Sequence, residues 1–122
     1  MSDSKQVLIV DDDTRNIFAL SAVLKSKGYK CVSATGMTDA FRLLSEKENI
    51  GILLLDMMMP DMDGYEAIPE IRDRFGKELP IIAVTAQAMI GDKERCLQAG
   101  ADGYIPKPVN VDELLVLLKK HL

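Results

Sequence analysis

Residues 52–64 read ILLLDMMMPDMDG, and this stretch decides the fold. Its four leading apolar residues form a short run followed at once by turn-forming residues, which predicts a strand buried on both faces. Asp56 would then stand at the carboxyl end of that strand, where open α/β sheets place their ligands. Taken alone, Asp56 is equally compatible with a helix N-cap or a turn carboxylate, so its role depends on its neighbours.

Outward from this stretch, strand-like and helix-like segments alternate five times. Predicted strands cover residues 7–10, 29–34, 52–55, 79–84 and 104–105, and predicted helices end before Gly28 or cover 35–46, 65–75, 90–99 and 111–122. Such alternation implies right-handed βαβ units, a parallel sheet and helices on both of its faces. The pattern predicts one α/β domain over residues 1–122. Asp13 or Thr14 can cap the first helix, and Pro69 is expected within about the first turn of the third.

Composition narrows the function classes. Hydrophobic residues make up 48% and charged residues 28% of the 122, as in ordinary globular proteins. The net charge of -4, without a Lys/Arg cluster, argues against direct nucleic-acid binding. The two cysteines have no metal-site spacing and are expected to be reduced. No apolar run approaches the roughly 20 residues needed to span a bilayer, and no signal peptide is visible, so we expect a cytoplasmic protein with no membrane contact.

Polar residues whose side chains can bind ions or react follow four of the five predicted strands. Asp11 and Asp12 follow the first, Asp56 the third, Thr85 the fourth and Lys107 the fifth. Parallel strands bring these ends to one edge of the sheet, where three carboxylates would repel one another unless a cation joined them. Mg²⁺ suits carboxylates and phosphate oxygens. These carboxylates, Thr85 and Lys107 together predict a phosphoryl site. Asp56 would be the nucleophile, and Thr85 and Lys107 would contact the phosphoryl oxygens.

The motifs VLIVDDD, LLLDMMMPDMDG, AVTA and YIPKP, in this order and spacing, resemble the receiver domains of two-component response regulators, the chemotaxis regulator among them. The resemblance covers essentially the whole chain. It implies a flavodoxin-like fold with a five-stranded parallel sheet of order 2-1-3-4-5. It also implies a phosphoacceptor signalling domain rather than a turnover enzyme, whose partner is a sensor histidine kinase or a histidine phosphotransfer protein.

The resemblance assigns roles to residues. Asp56 would accept phosphate from a phosphohistidine in the presence of Mg²⁺. Asp12 would bind the metal directly, Asp11 mainly through water, and the backbone carbonyl of Met58 would be a further ligand. Asp13 is assigned to capping.

Other residues would sense the phosphoryl group. Thr85 and Lys107 would contact its oxygens, the Lys107–Pro108 bond would be cis, and Tyr104 would act as an aromatic switch that turns inward as Thr85 moves. Met58 and Gln87 occupy positions that vary within the family. Met58 has no group that could position water, which indicates slow hydrolysis of the phosphoryl group.

The last predicted helix indicates an output surface. Val116 and Leu117 add apolar side chains to its inward stripe, and exposed apolar area often marks a partner site. The resemblance places the output on helix 4, strand 5 and helix 5. We therefore expect Val116 or Leu117 to contact a partner or a second copy of the domain, the alternative being that Leu117 packs under the neighbouring helix.

Five other interpretations of the same residues are less favoured. Residues 61–64 resemble the DxDG of phosphatases and a shifted EF-hand loop, but a turn leading into a capped helix is favoured, since Asp56 already holds the strand end. Met57–Met59 could suggest a soft-metal site, although packing is the usual role of such residues. A flavodoxin-like module binding a flavin or another phosphorylated small molecule would need a Gly/Ser/Thr-rich loop where this chain has Asp11–Asp13. A scaffold that has lost its chemistry is disfavoured, since every chemical position is filled.

Overall fold

The structure, a computed structural model, describes residues 5–46, 49–60, 62–86 and 91–122. Its strands are β1 (Gln6–Val10), β2 (Lys30–Ala34), β3 (Ile50–Asp56), β4 (Ile81–Thr85) and β5 (Gly103–Pro106). Its helices are α1 (Thr14–Ser26), α2 (Met37–Glu46), α3 (Gly64–Phe75), α4 (Asp92–Ala99) and α5 (Val111–His121). No helix among the described residues has the length and apolar content needed to cross a bilayer.

The strands form one parallel sheet of order β2-β1-β3-β4-β5, which confirms the predicted topology. β3 lies at the centre, and six of its seven residues are buried. This burial explains the unbroken apolar run of the sequence, since a central parallel strand is covered on both faces.

Two apolar clusters fill the space on either side of the sheet. On one side α1 and α5 pack through Ile17, Leu24, Leu114 and Leu118. On the other side α2, α3 and α4 pack against alternate residues of the same strands, among them Leu53 and Leu55. The period-two alternation of a strand therefore decides which layer each side chain enters.

Element boundaries differ from the predicted ones by a few residues. β3 begins at Ile50 and includes Asp56, because backbone pairing with β1 and β4 extends beyond the apolar run. β4 begins at Ile81 and α2 at Met37. The predicted start of the fourth helix, Ile90, lies outside the described residues. Pro69 is wrongly assigned to the first turn, since it lies deeper in α3, a helix that begins at Gly64.

Two aspartates begin the helices that flank the site. Asp13 is the N-cap of α1, and its side chain accepts a hydrogen bond from the Arg15 backbone N–H. Asp63 is the N-cap of α3 and accepts from Glu66 N–H. Residues 62–64 thus form the turn into a capped helix, which disfavours the phosphatase and EF-hand interpretations. Asp61 lies outside the described residues.

Candidate functional site

The register of the sheet brings the chemical residues together. Val10 pairs with Leu55, so Asp11 emerges beside Asp56. Asp56 pairs with Val84, which places Thr85 one step further along β4. Thr85 in turn pairs with Pro106, and Lys107 follows directly. The four side chains therefore start from neighbouring positions along one edge of the sheet.

The acidic group consists of Asp11, Asp12 and Asp56. One carboxylate oxygen from each lies within 4.8 Å of the others. Asp11 and Asp56 are each only 4% exposed, whereas Asp12 is exposed. Backbone N–H groups hold the buried pair in place: Asp13 N–H donates to Asp11 Oδ1 at 2.9 Å, and Met58 N–H donates to Asp56 Oδ1 at 3.0 Å.

Lys107 bridges the two buried carboxylates. Its Nζ lies 3.3 Å from Asp11 Oδ2 and 3.4 Å from Asp56 Oδ2. Burial disfavours the ammonium, but the Asp56 and Asp11 charges outweigh burial and raise the pKa of Lys107. Its backbone N–H donates to Thr85 O at 2.7 Å, and the Lys107–Pro108 peptide bond is cis. Lys107 is thus fully charged at neutral pH and faces the acidic group.

The site disfavours a charged Asp56. Burial is the main cause that raises the pKa of this carboxyl group, and the neighbouring Asp11 charge adds to it. The Met58 N–H and the Lys107 ammonium act in the opposite direction without cancelling the effect. A further cation beside Asp56 would therefore be favourable, because one ammonium neutralises only part of the charge of three carboxylates.

Thr85 and Tyr104 lie on the same face of the sheet, on the neighbouring strands β4 and β5. Ala83 pairs with Tyr104 and Thr85 with Pro106, so Thr85 and Tyr104 are diagonal neighbours. Thr85 is 1% exposed, and Tyr104 is half-buried against the α2–α4 side of the sheet. This placement allows a movement at Thr85 to reach Tyr104. Gln87 lies outside the described residues.

The donor set of the acidic group fits a hard divalent cation. Clustered carboxylate oxygens are the ligands that Mg²⁺ prefers. The methionines offer no comparable soft-metal site, since Met57 and Met59 are buried in the apolar core and Met58 points its side chain outward, 48% exposed.

Two features of the structure were not anticipated from the sequence. A cavity of about 480 Å³ lies beside the acidic group, between α1 and the start of α5. Its apolar walls include Leu20, Val23 and Val109. The second feature is a hydrogen bond of 2.6 Å from Tyr65 Oη to Asp92 Oδ1, which joins α3 to α4. No feature of the sequence indicated this pair, because Tyr65 and Asp92 lie 27 residues apart.

The loop after β1 does not resemble a flavin-binding loop. Three aspartates occupy the positions where an anion cradle would carry Gly, Ser or Thr. Asp11 is buried there and Asp13 is used as a helix cap. The small-molecule alternative is therefore not favoured.

Comparison with known proteins gives a consistent result. The family model described as response regulator receiver domain matches residues 7–119. The sensor histidine kinase RcsC of Escherichia coli is 43% identical over 111 residues, which are 91% of this chain and 12% of that protein. The chain thus spans only a small part of the curated relatives that it matches.

Solved structures agree with the same assignment. The receiver domain of a Pseudomonas aeruginosa sensor histidine kinase, with a magnesium ion in its active site cleft, superimposes with a TM-score of 0.85 at 36% identity, covering 97% of both chains. The receiver domain of the Saccharomyces cerevisiae response regulator Ssk1, crystallised with the histidine phosphotransfer protein Ypd1, gives a TM-score of 0.87 at 26% identity, covering 97% of this chain and 88% of that chain. In fold, in motif order and in family match over residues 7–119, this chain belongs to the response regulator receiver domains.

Proposed function

We propose that Asp56 accepts a phosphoryl group from a phosphohistidine. The observation that carries the proposal is the position of Lys107, which bridges Asp56 and Asp11 within a group of three carboxylates. A fixed cation at this point can neutralise a transferred phosphoryl group, while a buried carboxylate beside it offers the attacking oxygen.

In this reaction a carboxylate oxygen of Asp56 forms a bond to phosphorus as the phosphorus–nitrogen bond of the donor breaks. The electron pair of the broken bond returns to the imidazole nitrogen, and the ring leaves neutral if its other nitrogen carries a proton. The product is an acyl phosphate on Asp56. The Lys107 ammonium and the Thr85 hydroxyl would contact the phosphoryl oxygens.

Mg²⁺ would be held by Asp12 directly, by Asp11 through water, by Asp56 and by the backbone carbonyl of Met58. The burial pattern supports this division. Asp12 is exposed, so its carboxylate can turn to face a metal, whereas Asp11 is buried beside Lys107. Bound there, the metal would offset the negative charge of the phosphoryl oxygens.

The domain would act as a signalling phosphoacceptor rather than as a turnover enzyme, with residues 1–122 as one receiver. Its donor would be a sensor histidine kinase or a histidine phosphotransfer protein. The similarity to receiver domains of histidine kinases and to a receiver crystallised with a phosphotransfer protein supports this choice. We also propose a cytoplasmic location, which the two free cysteines favour because disulfides are rare there.

Intact-mass measurement tests the proposal. The protein is incubated with Mg²⁺ and phosphoramidate, whose phosphorus–nitrogen bond imitates phosphohistidine, or with acetyl phosphate. We expect one phosphate adduct in the wild type and none in Asp56→Asn. Asp13→Asn is the matched control, because it neutralises a neighbouring carboxylate but retains a good helix cap.

The adduct should persist in Asp13→Asn and disappear when EDTA removes the metal. A wild-type protein without an adduct, or an adduct of equal yield in Asp56→Asn, would contradict the proposal.

The output surface is proposed on α4, β5 and α5. Val116 is 66% exposed and lines a shallow pocket with Tyr104, Glu113 and Leu117. Leu117 is half-buried against the α1–α5 side of the core, so it belongs to the packing as well as to the surface. Of the two residues, Val116 is therefore the one proposed to contact a partner or a second copy of the domain.

A further inference from the structure

Helix α4 is attached to the rest of the domain by unusually few side chains. Of its eight residues only Asp92 and Cys96 are buried, and Ala99 is half-buried. The other side chains are exposed, and its N-cap, Gly91, makes no side-chain capping hydrogen bond. Helices of globular proteins are usually held by an apolar face. Here one of the two buried anchors is a carboxylate, so the attachment of α4 depends on what Asp92 contacts.

Tyr65 of α3 provides that contact. Its hydroxyl donates to Asp92 Oδ1 at 2.6 Å and lies 3.7 Å from Cys96 Sγ. The Arg95 guanidinium lies over the Tyr65 ring, 4.3 Å from its centroid. Burial raises the pKa of the Tyr65 phenol, and its hydrogen bond to Asp92 adds to this effect. The phenol therefore stays protonated and remains a donor at neutral pH.

The Asp92 carboxylate also faces Tyr104 of β5. Burial raises the pKa of the Tyr104 phenol, with the Asp92 charge as the next cause and a hydrogen bond to Asp92 as a smaller one. Asp92 Oδ2 is buried and receives no hydrogen bond of normal geometry from the described residues. Asp92 of α4 thus lies between the phenols of Tyr65 and Tyr104. Its Oδ1 accepts the Tyr65 hydrogen bond, and its Oδ2 has no hydrogen bond of normal geometry among the described residues.

Tyr65 also lies next to the loop that follows Asp56. Tyr65 follows Gly64, whose N–H donates to Met57 O at 3.0 Å. A Cβ on Gly64 would lie 2.0 Å from Met57 Sδ, so the start of α3 is packed directly against the residue after Asp56. A continuous path of contacts therefore runs from Asp56 through Met57, Gly64 and Tyr65 to Asp92.

We propose that the Tyr65–Asp92 hydrogen bond is a tether that holds α4 and Tyr104 in the resting arrangement and opposes the switch. Tyr65 and Asp92 are positioning residues in this proposal and take no part in the chemistry. In this proposal the switch moves α4, which breaks the Tyr65–Asp92 bond and separates Tyr104 from the Asp92 carboxylate. Removing the tether therefore lowers the free-energy difference between the two arrangements. The switching part of this inference rests on the proposed function, whereas the tether itself does not.

Hydrogen exchange in the free protein tests the tether. Tyr65→Phe keeps the ring under Arg95 and removes only the hydroxyl, and Asp92→Ala removes the acceptor. In both we expect the amides of residues 95–99 to exchange about tenfold faster, since a hydrogen bond to a buried carboxylate is lost. Asp92→Asn keeps an acceptor oxygen and should stay close to the wild type.

Tyr29→Phe is the matched control, because it removes a hydroxyl from a half-buried tyrosine outside this cluster. The double variant Tyr65→Phe/Asp92→Ala should exchange no faster than either single variant, as expected for two residues that act through one contact. Equal exchange in the wild type and Tyr65→Phe, or fully additive effects in the double variant, would overturn the tether.

Titration with Mg²⁺ and beryllofluoride, a phosphoryl mimic, tests the switching part. In Tyr65→Phe the concentration that half-shifts the Tyr104 ring signals should fall by about tenfold, because the resting state has lost the same contact. Faster exchange of α4 with an unchanged half-shift concentration would overturn the coupling. A wild type that never responds to beryllofluoride would contradict the proposed function, while the exchange measurements still decide the tether.

Discussion

At the scale of single residues, the candidate site contains charged side chains that are buried from solvent. Asp56 and Asp11 are almost fully buried, and Lys107 is the cation that the structure places within 3.4 Å of both. A buried carboxylate without full compensation lowers the stability of the folded state. A cation beside these carboxylates would offset this cost, as the proposed magnesium site requires.

The pH dependence of Asp56 gives the first prediction. A carboxyl whose pKa is raised in the folded state binds protons more tightly when folded. The contribution of Asp56 to the free energy of unfolding is therefore most favourable at acid pH and falls as pH rises from the ordinary value of 3.8 through the folded-state pKa. At neutral pH the whole cost is present, so Asp56→Asn should stabilise the metal-free protein by on the order of 1 kcal/mol.

Urea unfolding in EDTA at several pH values measures this effect. The wild type should lose stability relative to Asp56→Asn as pH rises above 3.8. Asp39→Asn is a suitable control, since Asp39 is exposed on α2. An Asp56→Asn variant that is less stable than the wild type at neutral pH would show that the charged carboxylate is favourable where it lies.

At the scale of elements, one arginine joins three parts of the fold. Arg72 near the end of α3 donates to Gly100 O at 2.8 Å and to Asp102 Oδ2 at 2.7 Å, and it also donates to Leu79 O. Asp102 Oδ2 accepts from Ile81 N–H at 2.8 Å as well. The side chain therefore links α3 to the start of β4 and to the turn between α4 and β5.

Arg72→Ala should lower the free energy of unfolding by about 2–4 kcal/mol, because several carbonyls and one carboxylate lose a charged donor. The Arg72 side chain is 14% exposed, so water replaces it poorly. Arg42→Ala is the comparison, since Arg42 is 54% exposed and its ion pairs with described residues, Asp39 and Glu46, lie on the surface of α2. It should change stability by less than about 0.5 kcal/mol in chemical denaturation. Similar losses in both variants would refute this role for Arg72.

At the scale of the whole molecule, metal binding and folding are linked. A cation that binds only the folded state stabilises it by mass action. Millimolar Mg²⁺ should raise the melting temperature of the wild type clearly and that of Asp12→Ala much less. The measurement is thermal unfolding with and without Mg²⁺.

Asp13→Ala provides the control for this comparison, because it removes a neighbouring charge that caps α1 instead of facing the acidic group. Loss of the cap should lower its stability by about 1 kcal/mol. Its increment with Mg²⁺ should nevertheless equal that of the wild type. Equal increments in Asp12→Ala and the wild type would mean that the metal binds elsewhere.

The output surface gives the last whole-molecule prediction. Val116→Glu should leave the unfolding free energy within about 0.5 kcal/mol of the wild type, since the side chain is 66% exposed. If Val116 contacts a second copy, the mutation should abolish any dimer that Mg²⁺ and beryllofluoride induce, as measured by sedimentation.

NMR shifts on adding beryllofluoride should extend from Asp56 to Tyr104 and α5. Shifts confined to the neighbourhood of Asp56 would contradict a switch.

The sequence by itself determined the architecture of this protein. Apolar runs such as residues 52–55, bounded by turn residues and alternating with helices, predicted strands buried on both faces of a parallel sheet. Since parallel strands share one carboxyl edge, the residues after these runs also predicted the members of the candidate site. These properties depend on neighbouring residues or on periodicity along the chain, so the sequence alone is sufficient to predict them.

Only the tertiary structure decided the contacts between distant side chains. The Lys107 bridge, the cavity beside the acidic group and the Tyr65–Asp92 hydrogen bond join residues far apart in the sequence. Periodicity places a residue on a face of its element but carries no information about which partner it meets across the layer. Asp92 shows the difference, because nothing in its position on α4 indicated its partner, and the fold supplies the Tyr65 hydroxyl that makes a buried carboxylate acceptable.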